Sequence, residues 1–491
     1  MFPNALPFIA VVVPVIGAIV IRLMPEEKAG QRHLAALATI LITFFSVVNM
    51  MGPVLDGEII QFRLLPLTST LFLEFRVDTM GLLFGLVAST LWIFATIYSM
   101  GYMSHEHNQR NFFTFYVLSA SATMGVAFAG NLFTLYIFYE YLAICTYPLV
   151  VHAQTKEATK SGIKYIGYSF GAGALVLIAL FIIYDLVGTL DFTPGGIFGG
   201  LTADSNTILI VLFALLVAGF GTKAAVMPLH SWLPGAMVAP TPVSALLHAV
   251  AIVKSGIFGT TRVLYYLFGV DLLKQLDVVD YFAVFIIFTI IVGSIIAIKQ
   301  DVLKLRLAYS TIGQLGYITL GALLLTPMGL TGGLLHIINH AVLKITLFFC
   351  AGAIIVVTGK KRIPDLMGIG RRMPLTMLAF TIGALGLMGV LPICGYLSKY
   401  YILSAGFEAG KPIFSFVILT STLLNAIYYL PIIVNAFFKK GDFKAPVGFE
   451  APLTMLLPIV LLAVSGILIG LFANYTSIPL VESVVNTVFS R

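Results

Sequence analysis

Three titratable side chains, His336, His340 and Lys344, recur at i, i+4 and i+8 in the stretch LLHIINHAVLKITLF. On a helix that spacing lines them along one stripe about 12 Å long at 1.5 Å rise per residue. A lone histidine in an apolar helix reads as a packed residue, whereas three titratable groups in register read as a proton relay. A His-x-x-x-His pair also has zinc-ligand spacing, but no third ligand of suitable type lies nearby, so no metal site is expected there. Four more charges sit in apolar surroundings. Glu140 is the sole acidic residue from 131 to 151, Lys223 lies in GFGTKAAVMP, and Lys254 lies in HAVAIVKSGIFG, six residues after His248. That interval places His248 and Lys254 on broadly similar faces of one helix. Lys399 is the only charged residue between Arg372 and Glu408.

A Lys or Glu at the centre of a membrane span costs several kcal/mol unless paired, hydrated or neutralised, so each marks a candidate functional site. Burial lowers the proton affinity of a lysine and a nearby carboxylate raises it again, so a Glu–Lys pair that opens and closes converts geometry into proton affinity. If Glu140 approaches Lys223, the lysine holds its proton. If they separate, the proton passes to Lys254 and through the histidines towards Lys399. The plainer reading of Glu140 is a structural partner for a single lysine.

The elements that must carry these residues are membrane helices. Of 491 residues, 59% are hydrophobic and only 10% charged, with mean hydropathy +1.02. Soluble proteins carry roughly 25% charged residues, so a water-soluble fold is excluded and no room remains for a soluble catalytic domain. Apolar runs fall at about 4–21, 34–51, 79–101, 112–129, 131–151, 163–187, 206–227, 242–268, 279–298, 308–325, 331–357, 374–404, 413–437 and 453–473, about fourteen in all. The expected fold is an all-α polytopic membrane protein. The first run lacks a basic n-region and has no small-residue cleavage site before Arg22, so it reads as a retained helix rather than a signal peptide.

Two runs are interrupted, the seventh by Pro228 and Pro234 and the twelfth by Pro392 and Gly395. Broken helices at membrane depth must line protein or water, because lipid cannot satisfy the freed carbonyls. The two breaks resemble each other: Val226, Pro228, Trp232 and Leu233 match Val390, Pro392, Tyr396 and Leu397 at a constant offset of 164. Such correspondence points to an internal repeat and an ion site. The expected organisation is helices 1–3 in 1–111, a first five-helix repeat in 112–268, a second, inverted one in 279–437, and helix 14 with a tail in 438–491.

Loops after odd-numbered spans carry 18 Lys or Arg, including the 28–32, 156–164, 299–306, 360–372 and 439–444 segments, against 6 in the remaining loops and tail. Odd loops are therefore expected in the cytoplasm and both termini outside. The other four basic residues, Lys223, Lys254, Lys344 and Lys399, lie inside apolar runs. Scattered singly as the basic residues are, the net charge of +7 reflects topology and not a nucleic-acid partner. Cys145, Cys350 and Cys394 stand alone, without disulfide, zinc or iron–sulfur spacing.

The stretch GTKAAVMPLHSWLPGAMVAPTPVSALLHAVAIVKSGIFG at 221–259 closely resembles the signature of the antiporter-like subunits of respiratory complex I, Mrp-type cation/proton antiporters and membrane-bound hydrogenases. FYEYLAICTYPLV at 138–150, HIINHAVLKITLFFCAG at 336–352 and the segment 363–402 extend the resemblance over nearly the whole chain. It implies fourteen helices, two inverted five-helix repeats and a hydrated charged axis at mid-membrane. Glu140 resembles the family's fifth-helix glutamate, Lys223 the broken-helix lysine and Lys254 the bridging eighth-helix lysine. His336, His340 and Lys344 resemble the eleventh-helix connection, and Lys399 the twelfth-helix terminal position. One complex I member typically has glutamate where this chain has Lys399. GIGRRMP and GYLSKYYI look most like the Mrp D-type subunit or its hydrogenase counterpart.

The leading expectation is a proton-moving subunit of a prokaryotic inner-membrane complex, carrying H+ alone or in exchange for Na+, with small hydrophobic and other antiporter-like subunits as partners. The alternatives are a complex I pumping subunit, a scaffold that anchors redox subunits, or a stand-alone solute transporter. A scaffold has no reason to bear the insertion cost of five buried Lys and Glu residues. Na+ prefers hard oxygen ligands, and Glu140 is the one mid-span carboxylate, so protons suit this chain better. No cofactor motif is present; iron–sulfur, nickel–iron or flavin groups would belong to a peripheral redox arm.

Overall fold

The computed structural model describes residues 3–201, 205–441 and 449–489; Lys444 of the basic 439–444 segment and Arg491 lie outside them. Helices follow the apolar runs: α1 (Leu6–Leu23), α2 (Ala29–Val48), α3 (Thr79–Met103), α4 (Gln109–Ala127), α5 (Leu132–Val150), α6 (Lys156–Val187), α7 (Asn206–Lys223), α8 (Thr241–Ala249) and α9 (Ile252–Arg262). They continue with α10 (Val279–Lys299), α11 (Leu303–Leu323), α12 (Pro327–Thr358), α13 (Pro374–Met388), α14 (Gly395–Glu408), α15 (Pro412–Phe438), α16 (Leu453–Leu471) and α17 (Ser477–Phe489). Among the described residues, eleven helices are long and apolar enough to cross a membrane, α8 and α9 counting as one. The runs at 112–129 and 308–325 form α4 and α11, whose Ser, Thr and Gln content keeps them out of that set, and the run at 374–404 is split into α13 and α14.

Helices alone were expected, yet the loop between α2 and α3 holds a β-hairpin. β1 (Ile60–Pro66) pairs antiparallel with β2 (Phe72–Val77), Ile60 facing Val77 and Pro66 facing Phe72. Apolar residues alternate with Gln61, Arg63, Glu74 and Arg76, a period of two that suits a strand, and the Pro, Thr and Ser residues of 66–70 supply the turn.

Burial orders the bundle. The most apolar stretch of α8–α9 is wholly enclosed by protein and that of α12 is 78% buried, against 33% for α6 and α16. Outer helices show lipid an apolar face, with Ile178, Phe181, Phe285, Phe288, Leu457 and Leu461 exposed. The central helices therefore have no lipid to face and can carry polar groups, provided these find partners within the protein.

Arg262 exemplifies this. It stands within the run 242–268, in the last turn of α9, with its side chain 1% exposed. It forms a forked pair with Asp78, Nη2 to Oδ1 at 2.7 Å, while Oδ1 also accepts from the Gly81 amide to cap α3. Faces of Phe258 and Tyr266 stack on the guanidinium. Removing one partner of such a pair strands a buried charge at a cost of about 3–5 kcal/mol. Asp78→Asn, which preserves the capping oxygen, is thus expected to lower the thermal midpoint of the purified protein markedly, and adding Arg262→Met to restore much of it. An unchanged midpoint in the single variant would contradict this account.

Candidate functional site

Both interrupted helices are broken where the prolines stand. The first break runs from the end of α7 at Lys223 to the short turn Trp232–Gly235, which contains Pro234, and the second from Met388 to Gly395 around Pro392. The peptide bonds before Pro228 and Pro392 are both cis. Freed backbone groups find partners inside the bundle. The Trp232 indole donates to the Thr222 carbonyl at 2.8 Å, the Met227 amide donates to Thr289 Oγ1 at 2.9 Å, and Asn339 Nδ2 donates to the Cys394 carbonyl at 2.8 Å. Opened backbone is thereby satisfied by protein partners, although Pro228, Val390, Leu391 and Pro392 themselves reach the surface.

Each break has a lysine at the carbonyl end of its first half-helix. Lys223 occupies the last turn of α7, and Lys399 Nζ donates to the Leu387 carbonyl of α13 at 2.6 Å and to Thr422 Oγ1 at 3.2 Å. The negative end of the helix dipole favours an ammonium at both places. Lys223 Nζ also donates to the Tyr139 carbonyl and sits over the Tyr139 ring, 3.3 Å from its centroid.

Glu140 and Lys223 form no ion pair within 4.0 Å, although each lies in the other's electrostatic field. The structure thus holds the separated arrangement. Oε1 of Glu140 is buried without a hydrogen-bond partner and lies against α6, where a Cβ on Gly173 would come within 2.2 Å of it. The missing Cβ makes the space for the carboxylate.

His248 and Lys254 do not share one helix: the backbone breaks at Val250 and Ala251, between α8 and α9. The break re-aims Lys254 at α12, where its Nζ lies 3.1 Å from His340 Nδ1. Gly256 lets α9 approach the end of α7, since a Cβ there would meet the Ala224 amide at 2.4 Å. Both ring nitrogens of His248 and Nε2 of His340 are buried and unpartnered. His248 lies in the field of Lys344 and Lys304.

On α12 the expected stripe continues. The His336 and His340 rings lie 6.1 Å apart, and His336 contacts Ser398 Oγ at 2.8 Å and Gln314 Oε1 at 2.9 Å. With both its nitrogens so engaged, His336 has no lone pair to spare for a metal. Lys344 Nζ donates to Ser310 Oγ at 2.9 Å and the Tyr429 hydroxyl at 3.1 Å. The Tyr428 hydroxyl lies 2.9 Å from Ser310 Oγ and donates to Asn425 Oδ1, while Asn425 Nδ2 reaches the Leu387 carbonyl at 3.4 Å. One polar line therefore leads from Lys344 through Ser310, Tyr428 and Asn425 to the Leu387 carbonyl that also accepts from Lys399, while a second runs from His336 to Ser398 without a hydrogen bond onward to Lys399 among the described residues. No hydrogen bond joins Lys223 to Lys254 among the described residues.

The neutral members of these lines, Ser310, Gln314, Ser398, Asn425, Tyr428 and Tyr429, were missed by attention to charge alone. Their signal is positional: Ser310, Gln314 and Tyr317 recur at i, i+4 and i+7 in an otherwise apolar run.

A cavity of about 570 Å³ opens among the loops after odd-numbered spans, lined by Glu106, His152, Glu157, Lys304 and Lys361 and reaching Tyr102 and Thr241. Thr241 begins α8, two turns before His248.

Known proteins agree with this architecture. Residues 129–425 match the transmembrane family of NADH:quinone oxidoreductase and Mrp antiporter subunits, and residues 68–113 match the N-terminus of chain 5 of NADH-ubiquinone oxidoreductase (complex I). The chain belongs to this antiporter-like family. NADH-quinone oxidoreductase subunit N of Desulforudis audaxviator is 31% identical, over 95% of this chain and 96% of that protein. Two solved structures share the fold of this antiporter-like chain. A chain of the Mrp complex from Dietzia sp. DQ12-45-1b superposes with TM-score 0.88 at 21% identity, covering 100% of this chain and 98% of that one. A chain of an archaeal membrane-bound sulfane sulfur reductase does so with TM-score 0.88 at 25% identity, covering 98% and 97%.

Proposed function

We propose that this chain is a proton-translocating subunit of a multisubunit inner-membrane complex, moving H+ along an axis from Glu140 and Lys223 through Lys254, His340, His336 and Lys344 to Lys399. The observation that carries the proposal is the Lys254–His340 contact, which joins the two halves of the axis from α9 to α12. His248 links the axis to the cavity, which faces the cytoplasm when the odd loops are cytoplasmic and both termini outside. The segments 112–268 and 279–437 act as two inverted halves, each contributing one broken helix and its lysine. Water fills the interval between Lys223 and Lys254, an arrangement that bridging hydrogen bonds sustain well.

The resemblance in GIGRRMP and GYLSKYYI favours an Mrp D-like subunit or its hydrogenase counterpart, with Na+, where exchanged, handled by a partner. A redox-driven complex is the second reading, supported by similarity to complex I subunit N and to the sulfane sulfur reductase chain. In that case flavin, iron–sulfur or nickel–iron groups reside in partner subunits.

The test is proton uptake by the assembled complex in proteoliposomes. Glu140→Gln preserves the size of the side chain beside Gly173 and removes its charge, and is expected to slow uptake about tenfold, roughly 1.4 kcal/mol in barrier, at unchanged complex yield. Parallel loss of yield and uptake would support the scaffold instead.

A further inference from the structure

The axis leaves one cluster of chemically capable side chains unused. Among the described residues, Glu106, His107 and His152 form the one group of three that offers ligand atoms within 4.8 Å of one another. Glu106 and His107 lie in the turn between α3 and α4, and His152 follows α5, so the cluster ties two loops together at the edge of the cavity.

Its hydrogen bonds prepare it for a metal. His107 Nε2 lies 3.2 Å from the His152 carbonyl, and His152 Nε2 lies 3.1 Å from the His107 carbonyl. A backbone carbonyl only accepts, so both Nε2 atoms must carry hydrogen and donate. In a neutral imidazole the lone pair then rests on Nδ1. Histidine ligands of metals are held in this way, the far N–H donating to a carbonyl to fix tautomer and ring orientation. The two rings stack, with centroids 4.9 Å apart. Oε2 of Glu106 stands 3.9 Å from His107 Nδ1, beside the free lone pair.

We propose that Glu106, His107 and His152 bind a divalent transition ion of the zinc class, and that the bound ion caps the cavity leading to Lys304 and His248. Two nitrogens and one carboxylate suit Zn2+ or Co2+, whereas Mg2+ and Ca2+ seek all-oxygen shells. Tetrahedral ligands on zinc stand about 3.3 Å apart for bonds of about 2.0 Å, so the set must close slightly. Glu106 and His107 are accessible enough to move, while His152 is buried and forms the fixed wall. Three protein ligands leave a fourth position for water on the cavity side. A dication there also adds repulsion against any proton approaching Lys304. This capping role rests on the proton-uptake reading above; the metal site does not.

The experiment is titration of the purified full chain in detergent with Co2+, read by the visible absorption of a four-coordinate site, followed by displacement with Zn2+. One tightly held ion per chain is expected, with Glu106→Gln and His107→Gln each weakening binding between ten- and a hundredfold. Both variants alter accessible side chains, so the test does not depend on the folding of a His152 variant. Absence of stoichiometric binding, or equal binding in the variants, overturns the site. In proteoliposomes of the complex, Zn2+ on the cavity side is expected to inhibit uptake, the variants requiring more by the same factor, each referred to its own zinc-free rate. Binding without inhibition overturns the capping role and leaves the site. Binding by a complex that moves no protons refutes the transport reading instead.

Discussion

Replacing Lys254 by methionine is expected to reduce proton uptake by the assembled complex about a hundredfold, the scale on which a positioned proton donor or acceptor contributes, while the complex assembles normally. Lys254 is 1% exposed, and among the described residues its one hydrogen-bond partner is His340 Nδ1. Methionine fills a similar volume and leaves no opposite charge stranded, because no acidic side chain is bonded to Lys254. A buried cation without a counter-ion is dispensable for stability, and an apolar replacement is neutral or better. What is lost, on the proposed axis, is the group that would pass a proton between α9 and α12. Fluorescence quenching by a pH-sensitive dye in proteoliposomes reads the rate. Wild-type uptake in this variant would show that protons reach α12 by another path.

The second large effect is expected from Lys223→Arg. Arginine keeps the positive charge at the carbonyl end of α7, so any purely structural need is met, including stacking on Tyr139 and attraction to Glu140. It does not release its proton at any working pH. Uptake should therefore fall as far as in Lys223→Met, again by about a hundredfold. Restoration of uptake by arginine would mean that Lys223 serves as a fixed counter-charge, in favour of the scaffold reading.

The sequence read well wherever a physical cost was written in single residues. Proline in an apolar run has few tolerable explanations, so the breaks at Pro228 and Pro392 were visible, as was the stripe of His336, His340 and Lys344. The break at Val250 and Ala251 was not visible, because both residues fit a helix and no proline or glycine marks the interruption. Arg262 drew no notice for a related reason: its partner Asp78 is 184 positions away, and no local pattern announces that pairing. The hairpin escaped notice because its alternation is short and lies between far stronger helical signals. Neutral polar residues such as Ser398 and Asn425 become part of the axis only once the fold supplies their neighbours.

The enclosure of α8–α9 has a consequence for how the protein is made. This segment carries His248, Lys254 and Arg262 and touches no lipid in the finished molecule. When it leaves the ribosome, α12, which supplies the partner for Lys254, has not been synthesised, since it begins at Pro327. Until then the segment is a poor tenant of the bilayer, and the insertion machinery or the earlier helices, through Asp78, must shelter it. The centre of the bundle is thus settled only after α1–α7, α10 and α11 have been made, and assembly is most exposed to failure while the chain between Arg262 and Pro327 is being made.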